Sequence, residues 1–534
     1  MDTLQLQNLK CFKDSGEIPI KPITVLVGKN SSGKSTFLRT FPLFRQSIES
    51  RTRGPILWYG QYVDFGSYND AVRRDSSDPN KRISFTYTTT IIKDQQRFNR
   101  FLFYSNRVFH FRIKDNETHY KVRFTIGLES KQKISYFPEI SLVFDWGCFC
   151  IRINEKSEVN SLSINNKEYI DLFKNQIKIF ESDSFFPTNF VTKSDKNKQE
   201  VNTFFKVHFE KPLYAMLKSL NHKSTTDEKL SKILQRQTIT DRESFLSDLK
   251  MYSKYLDLKV WGRNISKWTV ENQTFQKFYD YYLLCFIPDL LEMVDYEFCH
   301  TMENVHYIAP VRASAERYYR IQDLSVDDVD FQGKNLPMFI QALGNTVKKQ
   351  FQDWVEKNFN FIPDVETEKG HLSLLIRTPE GFAFNIADKG FGYSQILPII
   401  TQLWSIVHSE VRKNLTRGGV SYRKKDRRLE KFLVIEQPEL HLHPAFQSCL
   451  VQSIALVVDE AKRKGIILKI ILETHSETII NSIGHLIADR KLCNEDVGVV
   501  IFGQESNEHR VTLGNYDKDG FLSNWPIGFF SPIQ

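Results

Sequence analysis

The sequence predicts an α/β fold that carries an antiparallel β subdomain and an inserted helical arm, and three observations predict it. An apolar run, Val25-Leu26-Val27, ends in the glycine-rich stretch Gly28-Lys29-Asn30-Ser31-Ser32-Gly33-Lys34-Ser35-Thr36, with helical spacing after it. Between about 80 and 170, apolar and polar residues alternate with period two, the pattern of half-buried strands. Beyond 303, two apolar runs, Phe432 to Ile435 and Leu468 to Leu472, each end in polar residues, as buried strands of a parallel sheet do at their tips.

The first observation defines a site. The spacing G-x-x-x-x-G-K-S between a strand and a helix is that of a phosphate-binding loop. Gly28 and Gly33 permit backbone geometry that a side chain would obstruct. The N–H groups of the loop, which runs through Asn30 and Ser31 to Thr36, then face phosphates together with the helix N-terminus. Lys34 is placed to reach the β- and γ-phosphates, and the Ser35 hydroxyl to take a magnesium position. The expected ligands are a nucleotide and Mg2+.

Composition narrows the class. With 534 residues, 25% charged and 41% hydrophobic, the chain reads as a soluble globular protein able to bury a large core. The formal net charge of +8 is too small for this length to point to nucleic acid by itself. Seven scattered cysteines suit a reducing compartment, and Cys148-x-Cys150 falls in an alternating run that reads as a strand. The start, Met1-Asp2-Thr3-Leu4-Gln5, has no basic or apolar leader pattern, and no run reaches the ~18 apolar residues of a membrane span. The expectation is a cytoplasmic protein that does not contact membrane.

In chain order, residues 3–27 read as short strands, the last ending at Gly28. Phe37, Leu38, Phe41 and Phe44 mark the following helix, which Pro42 is expected to kink or end. Residues 55–72 read as a loop returning over the nucleotide site. From 81 to 170 the alternation predicts an antiparallel meander, with a turn at Asn165-Asn166. From 171 to 302 the spacing is helical, marked by Phe204, Phe205, Tyr214, Leu217 and Leu220, then by Phe245, Leu249, Tyr252, Tyr255 and Leu256. A helix start is expected near Asp241, and the lack of a sustained heptad argues against a long coiled coil. From 303 to 534 the α/β character returns, with a strand at Val305–Ala309 and one helix carrying Phe339, Ile340, Leu343, Val347, Phe351, Trp354 and Val355. Residues 1–80 and 303–534 are thus expected to be two parts of one head, interrupted by the β subdomain and the arm.

Three downstream stretches complete the candidate site. Gly390, Gly392, Ser394 and Gln395 precede a helical run and read either as a second anion-binding corner or as a plain helix entry with a serine cap. Glu436 ends the strand Phe432–Ile435, where it is placed to hold magnesium directly or through water. Gln437, Glu439, His441 and His443 follow; the turn after the strand explains the two histidines without a metal. His475 ends the next strand and is placed to sense a γ-phosphate.

Taken together, these stretches resemble the ABC-type P-loop ATPase heads of the overcoming-lysogenization-defect (OLD) group, near the heads of RecF and the SMC-like break-repair ATPases. Gly28 to Ser35 match Walker A, Gly390 to Gln395 the degenerate signature motif, and Ile435 to Pro444 Walker B and the D-loop. Thr474-His475-Ser476 matches the switch-histidine strand; Tyr307 to Arg317 and Asn524 to Phe530 also look like the family. Within the group, the chain is most similar to the ATPase of Septu-type and retron-associated anti-phage systems. The resemblance implies an ATP sandwich in which Walker A of one subunit faces the signature stretch of another, and hence at least a dimer. It also implies a separate HNH nuclease partner and, in the retron form, a reverse transcriptase with its RNA–DNA product.

Two departures qualify the resemblance. Gln437 stands where the group has a catalytic glutamate and cannot act as a base. Either Glu439 or His475 substitutes, or hydrolysis is slow and ATP serves mainly as a clamp. The stretch after His475 is also too short for the TOPRIM domain of the group's nucleases, which argues against an OLD-type nuclease in this chain. A RecF- or SMC-like DNA-repair ATPase is the alternative reading. The basic segment containing Arg423, Lys424, Lys425, Arg427 and Arg428 just precedes the Walker B strand, and is either a nucleic-acid contact or a solvated loop.

Overall fold

The strand that ends at Gly28 lies inside a six-stranded sheet, ordered Val305–Ile308, Glu430–Glu436, Ile467–Glu473, Ile23–Gly28, Val497–Glu505, Glu508–Gly514. The computed structural model describes all residues except 51, 53, 76–80, 93–118, 132–133, 175, 181–183, 194–203, 235–236, 238, 257, 311, 313–314, 322–327, 389–390, 409–429, 506–507 and 525–534. The chain forms two compact units. One comprises Lys10–Ser50, Leu57–Arg74 and Thr301–Gln534; the other comprises Met1–Leu9, Arg51–Ile56 and Asp75–His300.

The six-stranded sheet belongs to the first unit, and all its pairs are parallel except the last, between Val497–Glu505 and Glu508–Gly514. Strands covered on both faces need near-continuous apolar runs, and every residue of Ile23–Gly28 is buried. Val25, Leu433, Ile435 and Leu472 share a core with Leu403 and Trp404 of the helix Phe391–His408, Leu450 of the helix Pro444–Arg463 and Ile483 of the helix Glu477–Ala488. Rings of the loop helix, Lys34–Glu49, meet other residues of the same sheet: Phe41 stacks on Phe432 and Phe37 leans on Phe502.

This helix does not end at Pro42. It runs on to Glu49, because Leu38 and Phe41 before the proline and Leu43 and Phe44 after it are all buried. The packing outweighs the missing N–H. Beyond Pro42, the Gln46 side chain donates to the Leu57 carbonyl (2.6 Å) and accepts from the Tyr62 and Val63 N–H groups (3.2 and 3.1 Å). The returning segment is therefore anchored at the far end of the helix from the phosphate loop, and it includes a short helix, Tyr68–Ala71. Likewise, the single helix expected from Phe339 to Val355 is two, Leu336–Ala342 and Asn345–Phe359, with extended Gly344 capping the second.

The second unit holds the meander. Its antiparallel order is Lys167–Glu168, Val159–Ile164, Gly147–Ile153, Ile134–Phe144, His119–Lys131, Ile83–Ile92, Thr3–Leu9. Asn165 and Asn166 turn the last hairpin at φ 51° and 64°, left-handed geometry that asparagine tolerates and that matches strand twist. Asn165 also donates to the fully buried Asp280 carboxylate (2.6 Å), as does the Tyr169 hydroxyl (2.8 Å), fastening the hairpin to the helix Gln273–Leu284.

Among the described residues of this region, α-helices begin at Lys211–Ser219; before them comes a three-stranded sheet, Ile177–Ile179, Phe190–Lys193 and Phe204–Lys206. Phe204 and Phe205 are therefore in a strand, not on a helix. Strands of three or four residues are too short for either period to register in the sequence, and their pairing partners are remote. The expected helix start is present: Asp241 caps Arg242–Ser253 and accepts from the Ser244 N–H (2.9 Å).

Asp295, on the helix Ile287–Glu303, accepts from the Phe186 N–H (2.6 Å). Burial pushes its carboxyl up to about 6, against the opposing effect of that N–H. The folded chain therefore holds a proton that the unfolded chain has released above about pH 4. The stability that Asp295 contributes below pH 4 is lost as pH rises to about 6, then levels off; the loss is about 3 kcal/mol. Denaturant unfolding at pH 4.5 and 7 should show this slope, and Asp295→Asn should flatten it.

Candidate nucleotide-binding site

The site begins with two glycines held by their surroundings. Gly28 has φ 151°, and a Cβ there would meet the Phe502 carbonyl oxygen at 2.3 Å; Gly33 has φ 107°, and its Cβ would meet Phe12 Cζ at 2.5 Å. At Gly28 the obstacle is backbone of the neighbouring strand, which cannot swing aside. Gly28→Ala should therefore cost about 2–5 kcal/mol of stability, through overpacking and backbone strain together. A drop in the denaturation midpoint measures it, and an unchanged midpoint contradicts this account.

Gly33 is the N-cap of the loop helix and supplies no side-chain cap, so the N–H groups of the first turn stay available to an anion. Lys34, buried, donates to the Gly28 and Lys29 carbonyls (2.9 and 2.8 Å). Burial lowers its pKa, opposed by Glu473 and Glu439. Asn30 and Ser31 are exposed at the loop tip, Ser31 at φ 61°, and Ser35 and Thr36 are half-buried in the first helical turn. The Ser35 hydroxyl donates to Glu473 Oε1 (2.9 Å).

Glu436 ends its strand 2% exposed. Arg39, one turn along the loop helix, holds it with a fork: Nε to Oε2 (2.9 Å) and Nη2 to Oε1 (2.6 Å). The Tyr307 hydroxyl adds a bond to Oε2 (2.8 Å). Beside it, Gln437 adopts φ 45° and its N–H donates to the Glu473 carbonyl (3.0 Å). Glu439 Oε1 accepts from the His475 N–H (2.7 Å), while its Oε2 is buried without a partner. Burial raises the Glu439 pKa; burial and Lys34 lower that of His475. Of the two histidines after the strand, His441 turns at φ 60° and His443 caps the next helix, accepting from the Ala445 N–H (3.2 Å).

Gly392, Ser394 and Gln395 lie in the first turns of the helix Phe391–His408; Gly390 lies outside the described residues. Ser394 and Gln395 are buried, and Gln395 accepts from Arg312 (3.3 Å). Arg312 also reaches the carbonyls of Glu436 and Gln437 (3.4 and 3.5 Å), tying this helix to the tip of the strand Glu430–Glu436 inside one chain. Burial pulls Arg312 down to about 10, opposed by Glu439, Tyr307 and Glu436. The basic candidates Arg423, Lys424, Lys425, Arg427 and Arg428 lie outside the described residues.

Sequence reasoning passed over four members of this cluster. Glu473 could have been found, since it ends an apolar run just as Glu436 does. Tyr307 and Arg312 were noticed only as part of a family-like stretch, and Arg39 carries no sequence signal at all. Glu473 is 1% exposed, and its Oε2 is buried without a partner. Burial, then the charge of Glu436, pushes its carboxyl up to about 7. Ser35, Glu436 and Glu473 are hard oxygen donors of the kind that suits Mg2+, and the orphaned Glu473 oxygen is consistent with such an ion. When bound there with nucleotide, Mg2+ supplies Lewis-acid stabilisation of phosphate charge.

A phosphate-binding loop on one strand, a polar tip on the next and a buried acid on the third define a P-loop ATPase head. The chain belongs to the AAA_15 family, described as an AAA ATPase domain, whose model matches residues 1–480. No curated protein matches it. Among solved structures it aligns with the SMC head domain from Thermotoga maritima (8% identity, 96% of this chain and 97% of that chain, TM-score 0.34). It also aligns with the Smc head domain with an extended coiled coil bound to the C-terminal domain of ScpA, derived from Pyrococcus furiosus (11% identity, 96% and 95% coverage, TM-score 0.34). The likeness is loose at these scores.

Proposed function

We propose that this chain is the ATP-driven subunit of an anti-phage defence system. It pairs head to head around ATP and Mg2+, splits ATP slowly, and holds or controls an HNH nuclease. In a retron form, the assembly adds a reverse transcriptase and its RNA–DNA product. The observation that carries the slow-clamp reading is Gln437: an amide follows Glu436 at the strand tip, where a water-activating carboxylate would otherwise stand. The pairing rests on the likeness of Gly390 to Gln395 to a signature motif, and the defence role and partners rest on the resemblance to the OLD group.

In this reading the residues divide the work. Loop N–H groups and Lys34 bind phosphates, Ser35 and the strand-tip acids face the cation, and His475 senses the terminal phosphate. Expression of the native operon with an affinity tag on this chain tests the proposal. A co-purifying HNH nuclease supports it; isolation alone as an active DNA-cutting protein overturns it.

A further inference from the structure

We infer that Glu473 is a cation-facing carboxylate of the nucleotide site, placed beside Ser35 and closer to the phosphate loop in the sheet than Glu436. The inference rests on the ATP-binding reading and deepens it. Register sets the geometry. Glu473 pairs with Leu26 on the loop strand itself, whereas Glu436 pairs with Glu473 and is one strand farther away.

The hydrogen bonds separate the two acids further. Both oxygens of Glu436 already accept hydrogen bonds, from Arg39 and Tyr307, so a cation at Glu436 competes with a forked, half-buried ion pair. Glu473 needs no such exchange. One oxygen rests on the Ser35 hydroxyl, the group expected on magnesium, and the other is buried with no protein partner. A buried carboxylate oxygen left unsatisfied is costly, and a bound dication beside Ser35 removes that cost. It also relieves the repulsion between two acids on adjacent strand tips. Glu439, the other acid with a buried free oxygen, has its first oxygen on the His475 backbone and has no contact with Ser35 among its hydrogen bonds.

Glu473→Gln keeps an oxygen that accepts from Ser35 but removes the charge, which separates a cation role from a structural one. ATP binding to the full chain is measured in excess EDTA and in Mg2+, and Mn2+ binding in the presence of ATP by electron paramagnetic resonance. The expected result is unchanged ATP affinity in EDTA with Mn2+ affinity lowered about 10–100-fold. Mn2+ affinity within twofold of the parent (about 0.4 kcal/mol) overturns the inference. So does an equal loss of ATP affinity with and without metal, which marks a structural role. If Glu473→Gln does not fold, Glu473→Asp replaces it; this variant keeps the charge but withdraws the oxygen, and the same criteria apply. Failure of the parent chain to bind ATP at all would instead overturn the nucleotide reading.

Discussion

Lys34→Ala is expected to abolish ATP-dependent pairing and to weaken ATP binding by about 10–150-fold, the equivalent of one or two charge-assisted hydrogen bonds. In this structure the ammonium is buried and rests on the Gly28 and Lys29 carbonyls. In the proposed reading it exchanges these two carbonyls for phosphate oxygens when nucleotide binds. Alanine leaves those carbonyls without their donor and removes the only cation that the loop sequence itself places at the helix start. Sedimentation velocity with and without ATP is the direct measurement. If the variant still pairs on adding ATP and still controls its partner, the clamp reading fails.

Gln437→Glu is the second large expected effect, and its sign is a gain. A carboxylate next to Glu436 should raise single-turnover hydrolysis by about 10-fold or more, up to the ~10²–10⁴ that a well-positioned general base supplies. The swap is nearly isosteric, and the backbone N–H that donates to the Glu473 carbonyl is untouched. Faster turnover should also shorten the life of the ATP-bound assembly. An unchanged rate would show that the amide at 437 does not limit turnover. Loss of the residual rate in Glu439→Gln would then identify Glu439 as the base.

Much of the fold was legible because the signals were local. The G-x-x-x-x-G-K-S spacing, the apolar runs ending at Gly28 and Glu436, and the Asn165-Asn166 turn each lie within a dozen residues. Their physics is equally local: steric freedom at glycine, burial of continuous apolar strands, left-handed geometry at asparagine. The resemblance extended this to an ATPase, and membership of a family described as an AAA ATPase domain supports that class.

By itself, the sequence determined the glycine-rich loop between strand and helix, the acid at the end of the strand Glu430–Glu436, the antiparallel meander and the α/β fold around them. Only the tertiary structure decided that the loop helix passes Pro42, that Phe204 and Phe205 sit in a strand, and that Gly344 divides one apolar stripe into two helices. It alone brought Arg39 to Glu436, Arg312 to Gln395 and Ser35 to Glu473. The physical reason is the same in each case. Packing and charge pairing between residues tens to hundreds apart in sequence outweigh local propensity, and no local spacing encodes which remote partner a buried side chain will meet.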